Sequence, residues 1–452
     1  MPSNYRPLTG KSKARSASAV EVAGRVLTIF SAGFVAVAVL CSFGTPSSSS
    51  LRPQGWKLPS IRAGSSGARC DPFAQPGYVE SPHSAGELAS WRTFDSSCPP
   101  SDLFARLVST LGHRTSADPS QIAPHLSSDL KSSPDSERIA AIAGNRTVLL
   151  IGDHHVDRTL VEHFCTLVGR KAVKIDRAHP WGDALDAAAK SNGQATAVDA
   201  DVALAHFCHV PEYDLLLTSV YSFGADHAET WKSQRLYNAP TRFESRITDL
   251  YQPLLAAMAS STYTSPALPK PRLRREPDLV IFNSGLWDLA RWASDDIDSG
   301  ASLIDNLSEQ RILWWRGRMV DILTALRKTW KRSRIVWRNT HFPLASEANT
   351  VEWFLGTEGA VKKNHPLYHS NRISQLNNAQ RSLLEPQGDD VAKGYLDRSA
   401  RMPVDVHGVD FANLILGQDQ HQLDPLTPSL SPAGSIFAEL VLWNLQAAVE
   451  GR

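Results

Sequence analysis

The sequence predicts an α/β fold, a three-layer α/β/α sandwich with a mostly parallel sheet, preceded by a single transmembrane helix. Three observations predict it. Short continuous apolar runs recur along the chain, stretches of helical period separate them, and a charge-free apolar segment follows a basic leader. Runs that are apolar throughout read as strands buried on both faces, which a helix-covered parallel sheet requires.

The leader and apolar segment come first. Residues 1–25 hold Arg6, Lys11, Lys13, Arg15 and Arg25 against Glu21 alone. Residues 26–43 (VLTIFSAGFVAVAVLCSF) carry no charge, which reaches the lower limit for crossing a hydrocarbon core about 30 Å thick. The basic residues precede it, so the tail is expected in the cytosol and the rest across the membrane, as an uncleaved type II anchor. A cleaved signal peptide is the rival reading, but the basic leader is long for one. Residues 44–68 are Ser/Pro/Gly-rich and read as a stem. Residues 69–145 read as a loop-rich N-terminal lumenal segment with aromatic anchors Phe73, Trp91 and Phe94, and 146–452 as the α/β domain.

Within that domain the strand candidates are RTVLLIG (146–152), DLLLTSVYSF (214–223), DLVIFNSG (278–285) and RIVWRNT (334–340). Helices are expected after the first strand, over 243–259, along the stripe Ile312, Trp315, Met319, Ile322 and Leu326, and from Ser435 to Val449. Trp314, Trp315, Trp330 and Trp443 lie on or beside helices and read as packing residues. The basic segment with Lys270, Arg272, Arg274 and Arg275 reads as a solvated loop.

Composition excludes several classes. The chain has 452 residues, 42% hydrophobic and 21% charged, with a formal net charge of +1. That suits a globular chain and lacks the basic face a nucleic-acid partner needs. Of five cysteines, Cys41 lies in the apolar segment. The remaining Cys70, Cys98, Cys165 and Cys208 suit an oxidising lumen, and pairing Cys70 with Cys98 and Cys165 with Cys208 closes the shorter loops. Asn145-Arg-Thr and Asn306-Leu-Ser are N-glycosylation tripeptides.

Sites in open parallel sheets form at the carboxyl ends of the strands. That rule directs attention to Gly152-Asp153-His154-His155-Val156-Asp157-Arg158, Gly224, Asn283-Ser284-Gly285, Asn339-Thr340-His341, and Asp424-Pro-Leu-Thr427-Pro-Ser before the last helix. A first strand ending in Gly-Asp, an Asn-x-Gly after a middle strand, and an Asp-x-x-(His)-Pro-Ser motif resemble the SGNH/GDSL hydrolase superfamily. More narrowly, the chain is similar to the PC-esterase and trichome-birefringence-like branch, including fungal type II membrane proteins, over about residues 146–445. The resemblance implies a Ser nucleophile in the first motif, an Asp–His pair in the last, and oxyanion donors that Gly224 and Asn283 match. Such a set works because serine must lose its proton to histidine while fixed donors meet the developing charge.

This sequence departs from the family where the chemistry lies. His154 takes the Ser position counted from Gly152-Asp153, or His155 counted back from Arg158. Asp424 is retained, with Thr427 where the histidine belongs. Three readings follow. The first is a catalytically impaired SGNH-fold protein that binds a glycan or glycoprotein through Asp153, His154, His155, Asn283 and Asp424. The second is an active carbohydrate O-acyl esterase or acyltransferase, with His421 or His341 as base and His154 or Ser284 as nucleophile. The third is a metal-dependent hydrolase using Asp153, His154, His155 and Asp157 on zinc or manganese. The first leads, and implies no cofactor, a single membrane span and a Golgi lumen. Arg158 is expected to hold the turn by pairing with a carboxylate, and Asp288 and Trp287 to cap and pack a helix. Arg338 and His341 either line the pocket or form a buried polar network, and His407 reads as a strand-end histidine.

Overall fold

The computed structural model describes residues 70–81, 88–111, 134–176, 179–182, 205–225, 240, 242–260, 276–344, 367–384, 405–418 and 422–451, except the side chains of His154 and His155. The tail, the apolar segment, the stem and His421 lie outside them, as do Lys270, Arg272, Arg274 and Arg275. Residues Arg69–Arg452 make one compact unit, so the segment before residue 146 shares its core.

Four apolar runs form the centre of the sheet. They are β3 (Thr147–Gly152), β6 (Leu215–Tyr221), β7 (Leu279–Phe282) and β8 (Arg334–Arg338). Every residue of β3, β6 and β7 is buried. Successive strand side chains point to opposite faces, so both faces of these strands are covered. β6, β3, β7, β8 and β9 (Val406–Val409) run parallel. An antiparallel edge follows β6, made of β5 (His206–Val210) and β4 (Val173–Lys174). The full order is β4-β5-β6-β3-β7-β8-β9. Taken in chain order, the five parallel strands therefore lie second, first, third, fourth, fifth. That order places a topological switch point between β3 and β7. The amino edge of the same strands is latched by Asp278, whose carboxylate accepts from Arg146 Nη1 and the Thr147 amide, each at 2.9 Å.

The segment before β3 is more structured than its composition suggests. β1 (Gly77–Glu80) and β2 (Ser90–Thr93) form a separate hairpin, and two helices follow, α1 (Leu103–Leu111) and α2 (Pro134–Ala143). Both pack on the terminal helix α10 (Ser435–Val449), which is buried nearly all round. Its one acid, Glu439, accepts from Ser101 Oγ and the amides of Leu103 (2.7 Å) and Phe104 (2.8 Å). A glutamate 336 residues away in sequence thus caps α1, satisfying amides that a helix start leaves without partners.

The other helices connect strands. α3 (His154–Leu167) follows β3 and packs on β5 and β6. The helix expected over 243–259 is interrupted: α4 (Phe243–Arg246), a π-turn at Ile247–Tyr251, then α5 (Gln252–Ser260). Pro253 explains the interruption, because it lacks an N–H and its ring crowds the carbonyl four residues back. α6 (Leu286–Ser299) leaves β7, and α7 (Glu309–Thr329) returns to β8, capped by Ser308 Oγ. α8 (Ser370–Leu384) and the short α9 (Phe411–Leu414) flank β9. Asp296 near the end of α6 lies 2.8 Å from both Arg311 on α7 and Arg372 on α8, tying the three helices together. Disulfides join Cys70 to Cys98 and Cys165 to Cys208, the latter linking α3 to β5.

Candidate functional site

The carboxyl edge of the sheet concentrates buried polar residues. β3 delivers Asp153, β6 delivers Ser222, β7 delivers Asn283 and Ser284, and β8 delivers Arg338, Asn339, Thr340 and His341, all buried. Burying so many polar groups is costly unless they bond to one another, and most of them do.

Asp153 opens α3. Its Oδ1 accepts from the Val156 amide at 3.3 Å, an N-cap contact. His154 and His155 are therefore the first two residues of α3. The phenols of Tyr221 and Tyr368 are pushed well up, first by burial and then by the negative charge of Asp153. Gly152 lets the chain close tightly: a Cβ there would lie 2.5 Å from Asp157 Oδ2 and 3.0 Å from the Asn283 carbonyl.

One turn into α3, Asp157 forms a fully buried ion pair with Arg338 (Nη2 to Oδ1, 2.7 Å). Burial pushes the Asp157 carboxyl up, and the Arg338 charge and hydrogen bond oppose that push. Asp157 Oδ2 and Arg338 Nε and Nη1 are buried with no hydrogen-bond partner among the described residues. The guanidinium also lies 5.5 Å over the Phe411 ring. Asn283 Nδ2 donates to the Arg338 carbonyl at 2.9 Å, tying β7 to β8.

A second knot surrounds Asp288 in the first turn of α6. Its Oδ1 accepts from the Ala225 amide at 2.9 Å, and its Oδ2 from Ser284 Oγ at 3.0 Å and Trp315 Nε1 at 3.2 Å. Burial pushes this carboxyl up to about 6 against those three bonds. Gly224 has φ +82, and a Cβ on it would lie 2.8 Å from Asp288 Oδ1. Glycine is thus required both by conformation and by space. Gly224 and Ser284 lie against Asp288, which joins the loops after β6 and β7 to α7.

The segment before α10 forms the third part. Asp424 Oδ1 accepts from the amides of Leu426 (2.8 Å) and Thr427 (2.9 Å). Two histidines strap the segment down: His341 Nε2 donates to the Leu426 carbonyl at 2.6 Å, and His163 Nε2, from α3, to the Pro428 carbonyl at 2.9 Å. Burial holds His341 down at about 4, with Arg338 adding to the effect and Asp424 opposing it. His163 is lowered too, mainly by burial. Thr427 is completely buried, and its Oγ1 has no hydrogen-bond partner among the described residues.

The structure therefore brings Asp153, Asn283, Gly224 and His341 to one edge of the sheet, with Asp424 beside His341. Arg158 pairs with a carboxylate as expected, that of Glu162 one turn along its own helix at 3.4 Å, and no bond from it to the strand-end network occurs among the described residues. Asp157, offered to a metal by the third sequence reading, is turned inward to Arg338. No group of three or more metal-ligating side chains converges among the described residues. His407 lies one residue from the amino end of β9, 3.0 Å from Arg334 Nη1, so it is a strand-end histidine away from the carboxyl edge. Sequence reasoning did not find His163, Tyr221 or Tyr368. Helical position on α3 is the only signal His163 carries, since its partner lies 265 residues away. No protein-family model and no curated protein matches this chain.

Proposed function

We propose that this is a single-pass type II membrane protein of the secretory pathway, resident in the Golgi. In this reading its lumenal α/β/α domain is of SGNH type, binds acylated carbohydrate at the carboxyl edge of the sheet, and is catalytically impaired. The observation that carries the reading is the state of the last motif. Asp424, the residue that would orient a catalytic histidine, is bonded to main-chain amides, and Thr427 fills the histidine position as a buried hydroxyl without a partner among the described residues. Among the described residues, His163 and His341 each donate Nε2 to a carbonyl of this segment, which is a strapping role. The strand order with its switch point at β3/β7 supports the sandwich. The two disulfides fit an oxidising lumen. No helix among the described residues is long and apolar enough to cross a membrane, so the anchor rests on residues 26–43. Carboxylate and carboxamide groups such as Asp153 and Asn283 are the donors and acceptors that sugar hydroxyls require.

The test is acetate release from an acetylated polysaccharide and a chromogenic acetate by the full chain, with and without chelator. Alongside run His154→Ser with Thr427→His, and His155→Ser with Thr427→His. The proposal expects the native chain to retain the polysaccharide without releasing acetate and one paired variant to gain turnover. Native turnover lost in His154→Ala would overturn it in favour of histidine chemistry. Native turnover lost with chelator would overturn it in favour of a metal.

A further inference from the structure

We infer that Asn145 and Asn306 both carry N-linked glycans, one at each end of the sheet. The inference rests on the lumenal reading above and goes beyond it. Both residues head Asn-x-Ser/Thr tripeptides and both are exposed. Asn145 sits in the turn between α2 and β3 at φ +54, a left-handed conformation asparagine accepts. Its amide donates to the Tyr213 carbonyl at 2.8 Å, which leaves the side chain directed by that turn and not bonded among the described residues. Asn306 stands just before α7. Its Oδ1 accepts from Asn371 Nδ2 at 2.9 Å, so the Nδ2 that a glycan modifies has no partner among the described residues.

Transfer forms a bond from Asn Nδ2 to C1 of a lipid-pyrophosphate-linked oligosaccharide. The C1–O bond breaks, the lipid pyrophosphate leaves, and Nδ2 loses one proton. The Asn371 contact uses Oδ1 and survives that change, giving the first sugar at Asn306 a held amide plane. In the folded chain Thr147 is buried in β3, and Ser308 Oγ is engaged in capping α7. Thr147 is therefore withdrawn by folding, so transfer at Asn145 precedes closure of β3, whereas Ser308 stays exposed and leaves Asn306 open to transfer in the folded chain. Asn145 leads into the start of β3 and marks the amino edge. Asn306 precedes the α7 turn whose Trp315 reaches Asp288, so it stands on the side of the strand-end cluster.

The experiment is peptide-N-glycosidase digestion of the full chain made in a eukaryotic secretory system. Two mobility steps are expected. Asn145→Gln and Asn306→Gln should each remove one, and the double variant both. Thr147→Ser and Asn371→Ala, which keep the tripeptides, should retain both steps and so separate loss of the acceptor from loss of the fold. Fewer than two steps in the native chain, or steps that persist in the double variant, overturn the inference. Protease added to sealed membranes separates the two readings. A chain digested from outside refutes the lumenal topology, whereas a protected chain without glycans refutes this inference alone.

Discussion

His341 makes the chain sensitive to acid by a calculable amount. Its imidazole is neutral and buried, donates Nε2–H to Leu426, and is held at about 4 against an ordinary value of 6.5. The folded state thus binds a proton more weakly than the unfolded chain. Stability from this residue is complete above pH 6.5 and is lost as pH falls towards 4. The gap corresponds to about 3 kcal/mol in total, of which about 1.5 kcal/mol is lost by pH 5.5 and about 2.5 kcal/mol by pH 4.5. His341→Gln removes the titration while leaving an amide N–H able to reach the same carbonyl, at a cost of about 1 kcal/mol at neutral pH. Urea unfolding of wild type and variant from pH 7.5 to 4.5, followed by tryptophan fluorescence, isolates the residue because other titrating groups cancel in the difference. The variant should be the less stable protein at pH 7.5 and the more stable by roughly 1–2 kcal/mol at pH 4.5. A difference that stays flat across that range, with equal m-values, would refute the assignment of a buried neutral histidine.

Three further outcomes follow from the same geometry. Gly224→Ala should lower stability by roughly 2–4 kcal/mol, against about 1 kcal/mol for Gly169→Ala, because both have positive φ but only Gly224 faces a carboxylate; paired thermal melts compare them. Removing one partner of the Asp157–Arg338 pair, as in Asp157→Leu or Arg338→Met, should cost roughly 3–5 kcal/mol by leaving a buried charge alone, while the double variant recovers most of it; a double-mutant cycle in denaturant reads this directly. Glu439→Ala should cost roughly 2–3 kcal/mol, and hydrogen exchange should show the Leu103 and Phe104 amides losing protection first.

The central strands were legible because each is a continuous apolar run, and all four expected runs are strands within three residues of their bounds. The last helix was equally legible, since Ser435–Val449 is almost wholly apolar. The edge strands were not: HFCHV and VHGV mix polar and apolar residues in segments of five and four residues, too short for a period to emerge. α1 carried a usable signal in Leu103, Phe104, Leu107 and Leu111, but the polar stretch after it obscured the segment. At the site, pattern pointed to the strand ends and to Asp153, Asn283, Gly224 and His341. It could not reveal that Asp424 accepts from the amides of its own loop, and it expected a carboxylate partner for Arg158 without naming Glu162.

Local composition decides which segments become strands and helices, because burial period and turn residues act over a few neighbours. It also decides that a threonine, Thr427, stands three residues after Asp424, a fact of the chain alone. Which polar group meets which is decided by the strand order. Asp157 and Arg338 are 181 residues apart and adjoin only because β3 and β8 lie on either side of β7 and end at the same edge. Once those ends are desolvated together, each buried charge or amide must find a partner within hydrogen-bond reach, and the choice of partner belongs to the tertiary structure.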